Sequence, residues 1–178
     1  MNVRRATAEE VAAVVTLARE SFTAAVAPFF DEEGKRTFVE FATAEAMLKR
    51  MSENYVTYVA HRDGELVGMA HVRDGCHVAM LFVKPQAQRG GIGRELIEYA
   101  VAECTSDTIT VAAAPNSGGA YLRFGFERVA EERVDRGIRF IKMALNRKSR
   151  TQTDAQNPAM TPQFHTRRRW RGVCDPPR

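Results

Sequence analysis

Between Tyr55 and Val83 the sequence is cut into three strand-length runs by Asp63-Gly64 and Asp74-Gly75. The runs YVTYVAHR, ELVGMAHVR and CHVAMLFV are rich in β-branched and aromatic residues, which suit a pleated, half-buried surface. An Asp-Gly pair readily takes the positive-φ conformation that a tight hairpin turn requires. Residues 55–83 are therefore expected to form three neighbouring antiparallel strands.

The rest of the chain is arranged around this unit. Asn2 to Ala6 reads as a first strand, and Thr7-Ala8-Glu9-Glu10 has the form of a capping box that starts a helix. Val11, Val14, Ala18 and Phe22 then recur at helical spacing. Pro28 to Asn54 reads as further helix, broken near Gly34 and near Thr43, with Phe38, Phe41, Met47 and Met51 on its buried side. Beyond Val83 come the turn QRGGIG (Gln88 to Gly93), a helix over Arg94 to Glu103, a strand over Thr108 to Pro115 and a short helix over Ser117 to Phe124. The runs FERVAEERV and IRFIKMAL, turning at Asp135-Arg136-Gly137, close the pattern. This order predicts an α+β fold with a mixed, mainly antiparallel sheet, not a regular βαβ alternation.

A chain of 178 residues with 44% apolar content supports one domain of ordinary size. There is no run of about 20 apolar residues and no apolar signal-peptide core, so the expectation is a cytoplasmic protein without membrane contact. Cys76, Cys104 and Cys174 form no CxxC pair, and no metal site is expected. The net charge of +4 is unevenly placed: residues 147–178 carry eight Lys and Arg against two Asp, a net of +6, which leaves −2 for residues 1–146. The expected organisation is a folded domain over 1–146 and a basic, disordered tail over 147–178. The cluster Arg167 to Arg171, with Trp170, suits phosphate or an acidic surface, so nucleic acid is a partner to consider alongside a solvated end without one.

Three phosphate-cradling designs compete for QRGGIG. A Walker A loop needs Lys then Ser or Thr, but Arg94 follows Gly93. A dinucleotide fingerprint needs a small residue where Leu96 stands and an acidic residue after the next strand, where Ala113 and Ala114 stand. What remains is a strand, a turn of exposed amides and a helix N-terminus directed at one spot, which suits a pyrophosphate.

This turn, Gln/Arg-x-x-Gly-x-Gly/Ala after a fourth strand, together with the element order and Tyr121-Leu122-Arg123-Phe124-Gly125-Phe126, resembles the GNAT superfamily of acetyl-CoA-dependent N-acetyltransferases over residues 1–146. The resemblance implies that Gln88, Arg89, Gly90, Gly91, Ile92, Gly93 and Arg94 hold the pyrophosphate of acetyl-CoA. Gly91 and Gly93 would be needed because a Cβ there strains the turn or blocks the phosphates. The backbone of Leu81, Phe82 and Val83 would pair with the pantetheine arm and offer an oxyanion donor. Tyr121 matches the tyrosine that protonates the departing thiolate, and Asn116 matches a cofactor-binding asparagine, although it precedes the tyrosine by an unusually short interval.

An ammonium has no lone pair, so transfer to an amine also requires loss of a proton. His77 falls where one branch of the family carries its catalytic base, and an imidazole with an ordinary pKa of about 6.5 suits that task. A histidine that merely lies on the sheet face fits equally well. His71 and Glu40 are further candidates near the acceptor. Phe29 and Phe30, beside Asp31, Glu32 and Glu33, would enclose an apolar amine and attract its cation; a loop anchor followed by an acid-rich helix start is the plainer reading. The implied activity is direct acetyl transfer in a ternary complex. Its rivals are a non-catalytic acyl-CoA-binding regulatory domain and an acetyltransferase directed by its tail to a nucleic-acid-associated target. A two-fold homodimer is open.

Overall fold

The computed structural model describes residues 1–147. Strand β1 (Asn2–Arg5) leads through a single 3-10 turn to α1 (Val11–Ala25), followed by α2 (Glu32–Phe41) and α3 (Ala44–Glu53). Three strands come next, β2 (Tyr55–Arg62), β3 (Glu65–Arg73) and β4 (His77–Val83). Helix α4 (Ile92–Glu103), β5 (Thr108–Ala113), α5 (Gly118–Arg123), β6 (Glu127–Asp135) and β7 (Ile138–Asn146) complete the domain.

Seven strands form one sheet in the order β1-β2-β3-β4-β5-β7-β6, and every pairing is antiparallel except β4 with β5. The expected α+β fold is present. Asp63 and Gly64 both have positive φ, 54° and 82°, and join Arg62 to Glu65 in a two-residue hairpin. Arg136 and Gly137 do the same between β6 and β7, at 49° and 73°. Between β3 and β4 the loop is one residue longer, because Cys76 donates back to the Arg73 carbonyl instead of entering the strand.

Each face of the sheet carries its own core. Helix α4 packs Ile92, Leu96, Ile97 and Ala100 onto Ala60, Ala70, Val72 and Val111. On the other face α1 packs Val14, Leu17, Ala18 and Phe22 with Met47, Val59, Met69 and Met80. Buried side chains of this kind contribute roughly 1.5–3 kcal/mol each, so the two layers hold the sheet rigid where it carries the site. The capping residues behave as expected at the 3-10 turn that leads into α1, where the Thr7 amide donates to Glu10 at 3.0 Å, and at α3, where Thr43 Oγ1 accepts from the Ala46 amide at 3.2 Å.

One expected break is absent. Helix α2 runs through Gly34 without interruption, N-capped by Asp31, whose carboxylate accepts from the Gly34 amide at 2.8 Å. The glycine there serves packing: a Cβ on Gly34 would collide with the backbone carbonyl of Gly137 and lie 2.7 Å from its carbonyl carbon. The break at Thr43 occurs as expected. Among the described residues no helix is long and apolar enough to cross a membrane. The basic cluster Arg167 to Arg171 lies outside the described residues.

Candidate active site

The sheet opens between its two parallel strands. β4 and β5 share only the rungs His77↔Thr110 and Val78↔Val111. Past Val78, β4 stays with β3 while β5 stays with β7, so Ala79 to Val83 have no strand partner on the β5 side. A bulge assists the divergence: Val72 faces Val78 and His71 faces Met80, which leaves Ala79 as an extra residue that bends β4. A cavity of about 400 Å³ occupies the fork, walled by Ala79 to Val83 on one side and Val111 to Ala114 on the other.

At its mouth lies the glycine turn. Gln88 lines the cavity and donates through Nε2 to the Val83 carbonyl at 3.2 Å, tying the turn to the strand end. Arg89 and Gly91 take positive φ, 64° and 82°, and Gly91 caps α4 without a side-chain acceptor. The backbone amides of Arg89 through Arg94 have no hydrogen-bond acceptor among the described residues; the first helical bond is Glu95 N–H to Gly91 O, 3.1 Å. A run of free amides at a helix start is suited to an anion with several oxygens. Gly91 is required by its φ, whereas a Cβ on Gly93 would meet only ordinary contacts, with Phe124 at 3.6 Å and Val83 at 3.7 Å. Any need for glycine at 93 therefore comes from the ligand.

The motif around Tyr121 has a backbone explanation. Gly125, at φ 92°, follows α5 as a left-handed cap; its amide donates to Leu122 O and the Phe126 amide to Tyr121 O, both at 3.0 Å. This is a Schellman arrangement, in which the residue after the glycine packs back on the last turn. Phe126 does so against the Tyr121 ring, edge to face at 5.5 Å. Packing thus accounts for Gly125, for Phe126 and for the ring of Tyr121, but not for its hydroxyl. Tyr121 lines the cavity. Burial pushes its pKa well above the ordinary phenol value, so it holds its proton throughout the neutral range.

His77 lines the same cavity at the other end of the fork, with Nδ1 2.8 Å from Thr110 Oγ1. Its pKa is not the ordinary one that the sequence suggested. Burial, with Arg73 and Lys142 nearby, lowers it to about 4. The ring is neutral at pH 7 and is a weaker base than free imidazole.

A family profile described as "Acetyltransferase (GNAT) domain" matches residues 26–147. The chain belongs to the GNAT acetyltransferase family. No curated protein shows significant sequence similarity to it. Among solved structures it is similar to a GCN5-related N-acetyltransferase from Rhodopseudomonas palustris, with 20% identity and a TM-score of 0.70 over 82% of this chain and 94% of that one. It is similar to the PaiA N-acetyltransferase of Thermoplasma acidophilum in complex with coenzyme A, with 20% identity and a TM-score of 0.67 over 82% and 98%. The ribosomal-protein-S18-alanine N-acetyltransferase of Escherichia coli follows at 18% identity and 0.60 over 82% and 92%. At these identities the likeness speaks for the fold. GNAT domains use acetyl-CoA as acyl donor, and the free amides of the turn fit its pyrophosphate.

Not every residue expected at this GNAT site reaches it. His71 is fully buried behind the cavity, with Nδ1 2.8 Å from Thr57 Oγ1, Arg50 Nε 3.4 Å from Nε2 and the Tyr55 ring stacked at 4.6 Å. Burial first, and the Arg50 charge second, lower its pKa to about 3. It supports the wall, and it is Tyr55 that faces the cavity. Glu40 is exposed on α2, and Phe29 is 47% exposed; neither lines the cavity. Phe30 does, in an aromatic cluster with Phe22 and Phe38. Asn116 Nδ2 donates to the Ala25 carbonyl at 2.6 Å, joining the segment after β5 to the end of α1, and Ser117 lines the cavity in its stead.

The acids at 31–33 follow the plainer reading, since Asp31 caps α2, Glu32 pairs with Lys35 at 2.6 Å and none of the three lines the cavity. Arg73, Arg139 and Tyr55 are lining residues that sequence reasoning missed. They lie at strand ends, where alternation marks a face but not what covers it.

Proposed function

We propose that the protein transfers the acetyl group of acetyl-CoA to a primary amine by direct transfer in a ternary complex. One observation carries the reading: a single cavity is lined by the open edge of β4, by Gln88 of the free-amide turn, by Tyr121 and by His77. Acetyl-CoA, when bound, supplies an activated thioester. The amides of Arg89 to Arg94 hold its diphosphate, and the unpaired edge at Leu81, Phe82 and Val83 lies along its acyl-bearing arm. Tyr121 holds a proton at Oη for the departing sulfur, and its raised pKa keeps that proton in place until the C–S bond breaks. His77, with Nδ1 engaged by Thr110, presents Nε2 to the amine proton. As a weak base it acts on an amine that arrives neutral or nearly so.

Calorimetric titration with acetyl-CoA, with ATP and NAD as controls, tests the turn, and thiol release in the presence of amines tests the chemistry. Selective acetyl-CoA binding followed by amine-dependent thiol release is expected. Binding without release from any amine would reduce the protein to an acyl-CoA-binding domain.

A further inference from the structure

Behind the Tyr55 side of the cavity lies a polar relay that the transfer itself does not use. His71 Nδ1 is 2.8 Å from Thr57 Oγ1, and His71 Nε2 accepts from Arg50 Nε at 3.4 Å. An imidazole that accepts at Nε2 is neutral and carries its proton on Nδ1, the state that burial of His71 enforces. Arg50 Nη2 donates to the Phe41 carbonyl at 2.6 Å. The same guanidinium packs on two rings, its central carbon 3.8 Å from the centroid of Phe41 and 5.7 Å from that of Tyr55. The Tyr55 ring is stacked on His71 in turn, at 4.6 Å. Phe41 and Tyr55 are half-buried and line the cavity, whereas Arg50 and His71 do not. The relay therefore fixes two aromatic side chains at the wall and keeps its own polar groups out of the cavity.

We propose that the acceptor is a primary monoamine carrying an aromatic ring on a short tether, the ring packed against Phe41 and Tyr55 and the amine at His77. This rests on the acetyltransferase reading and adds the substrate class to it. Tyr55, Arg73 and His77 form one cross-strand row over β2, β3 and β4, so Tyr55 stands two strand spacings, about 10 Å, from His77. With a hydrogen bond at one end and a ring contact at the other, that span leaves a tether of about two carbons. Aromatic pairs gain from their ring geometry beyond the area they bury, which favours an aromatic occupant over an aliphatic one. Among the described lining residues there is no carboxylate, and the two lining arginines are ion-paired, Arg73 with Asp74 and Arg139 with Glu132. A second ammonium on the acceptor would find no counter-charge at this wall. The apolar surroundings also favour the neutral form of the bound amine, the form from which a weak base such as His77 can take a proton as the bond to carbon forms. Arg50 is a positioning residue here, since it reaches the acceptor only through the two rings it holds.

The test measures thiol release from acetyl-CoA with phenethylamine and tryptamine, against propylamine, putrescine and spermidine. Calorimetric titration of the same amines into the protein with CoA present gives a readout independent of turnover. At least one aromatic amine is expected to exceed propylamine by about 10- to 100-fold in kcat/KM, the scale of burying one aromatic group, with putrescine and spermidine no better than propylamine. Tyr55→Ala is expected to erase most of that preference while leaving acetyl-CoA affinity unchanged, which also shows that the variant is folded. Arg50→Met is expected to raise KM for the aromatic amine with kcat nearly unchanged; an equal loss of turnover with aromatic and aliphatic amines would make Arg50 merely structural and overturn its positioning role. If propylamine or putrescine serves the wild-type protein as well as the aromatic amines, the aromatic-acceptor proposal is overturned and the acetyltransferase reading stands. If acetyl-CoA binds and neither aromatic amine binds or reacts, the proposal is overturned and the acetyltransferase reading rests on the other amines. Failure of the folded protein to bind acetyl-CoA overturns both.

Discussion

Gly34 of α2 lies against the backbone of Gly137 in the β6–β7 turn, so closely that neither position has room for a Cβ. Thr37 adds a hydrogen bond from Oγ1 to the Arg136 carbonyl at 2.9 Å. Together these contacts hold the hairpin against α2 and fix Ile138 and Arg139 at the cavity wall. Gly34→Ala is expected to destabilise the fold by about 1–3 kcal/mol, the usual cost of an overpacked contact. Urea unfolding of the variant measures this, and an unchanged midpoint would show that the hairpin yields freely.

Tyr121→Phe keeps the ring that Phe126 and Phe124 pack against and removes only the hydroxyl. Turnover is expected to fall by roughly 10²-fold or more, the scale of lost general acid catalysis, with acetyl-CoA affinity and thermal stability nearly unchanged. Equal turnover in the variant would take Tyr121 out of the chemistry.

The turn glycines are expected to separate. Gly91→Ala forces a side chain into φ 82°, a strain of about 1–2 kcal/mol, and disturbs the amide array, so both stability and acetyl-CoA affinity should drop. Gly93→Ala has room in the free protein, so it should leave stability intact while weakening acetyl-CoA binding. Parallel melting curves and titrations distinguish the two, and tight binding by the Gly93 variant would place the phosphates elsewhere.

Two histidines, His71 buried and His77 half-buried, predict a pH dependence of stability. His77 and His71 have pKa values lowered to about 4 and about 3, against about 6.5 in the unfolded chain. Below pH 6.5 the unfolded state therefore binds protons that the folded state refuses, so stability is full above that value and falls as the pH drops towards 4. The loss is on the order of 1–3 kcal/mol for each histidine. Urea midpoints between pH 7 and 4.5 should show the decline, and His77→Gln should flatten it. Catalysis follows the same sign: with His77 already neutral, its titration leaves no limb in the rate near pH 7, and a limb centred there would assign the base to another group.

How much of this protein is legible in its sequence depends on the distance over which each signal acts. The Asp-Gly turns, the Thr43 cap, the helix-starting glycine turn and the Tyr-x-x-x-Gly-Phe cap are settled by backbone preferences within a few residues, so the element order and the fold could be read directly. Gly34 misled because a glycine within a helix pattern signals a break locally, and its actual reason, the Gly137 backbone, lies about a hundred residues away. His71 and His77 stand in similar strand contexts. Only the covering of the sheet decides that one is sealed behind Tyr55 while the other, bonded to Thr110 across the fork, opens onto the cavity. The arginines of the cavity wall were likewise beyond sequence reasoning, because Arg73 and Arg139 reach it from strands distant in the chain, whereas the acids at 31–33 that suggested a cation site are taken up by the start of α2. The sequence by itself determined the elements and their turns, the glycine turn before α4 included, since these depend on local torsional and hydrogen-bonding preferences. The tertiary structure alone decided which side chains share the cavity and what charge and proton affinity they have there, since those depend on burial and on neighbours remote in the chain.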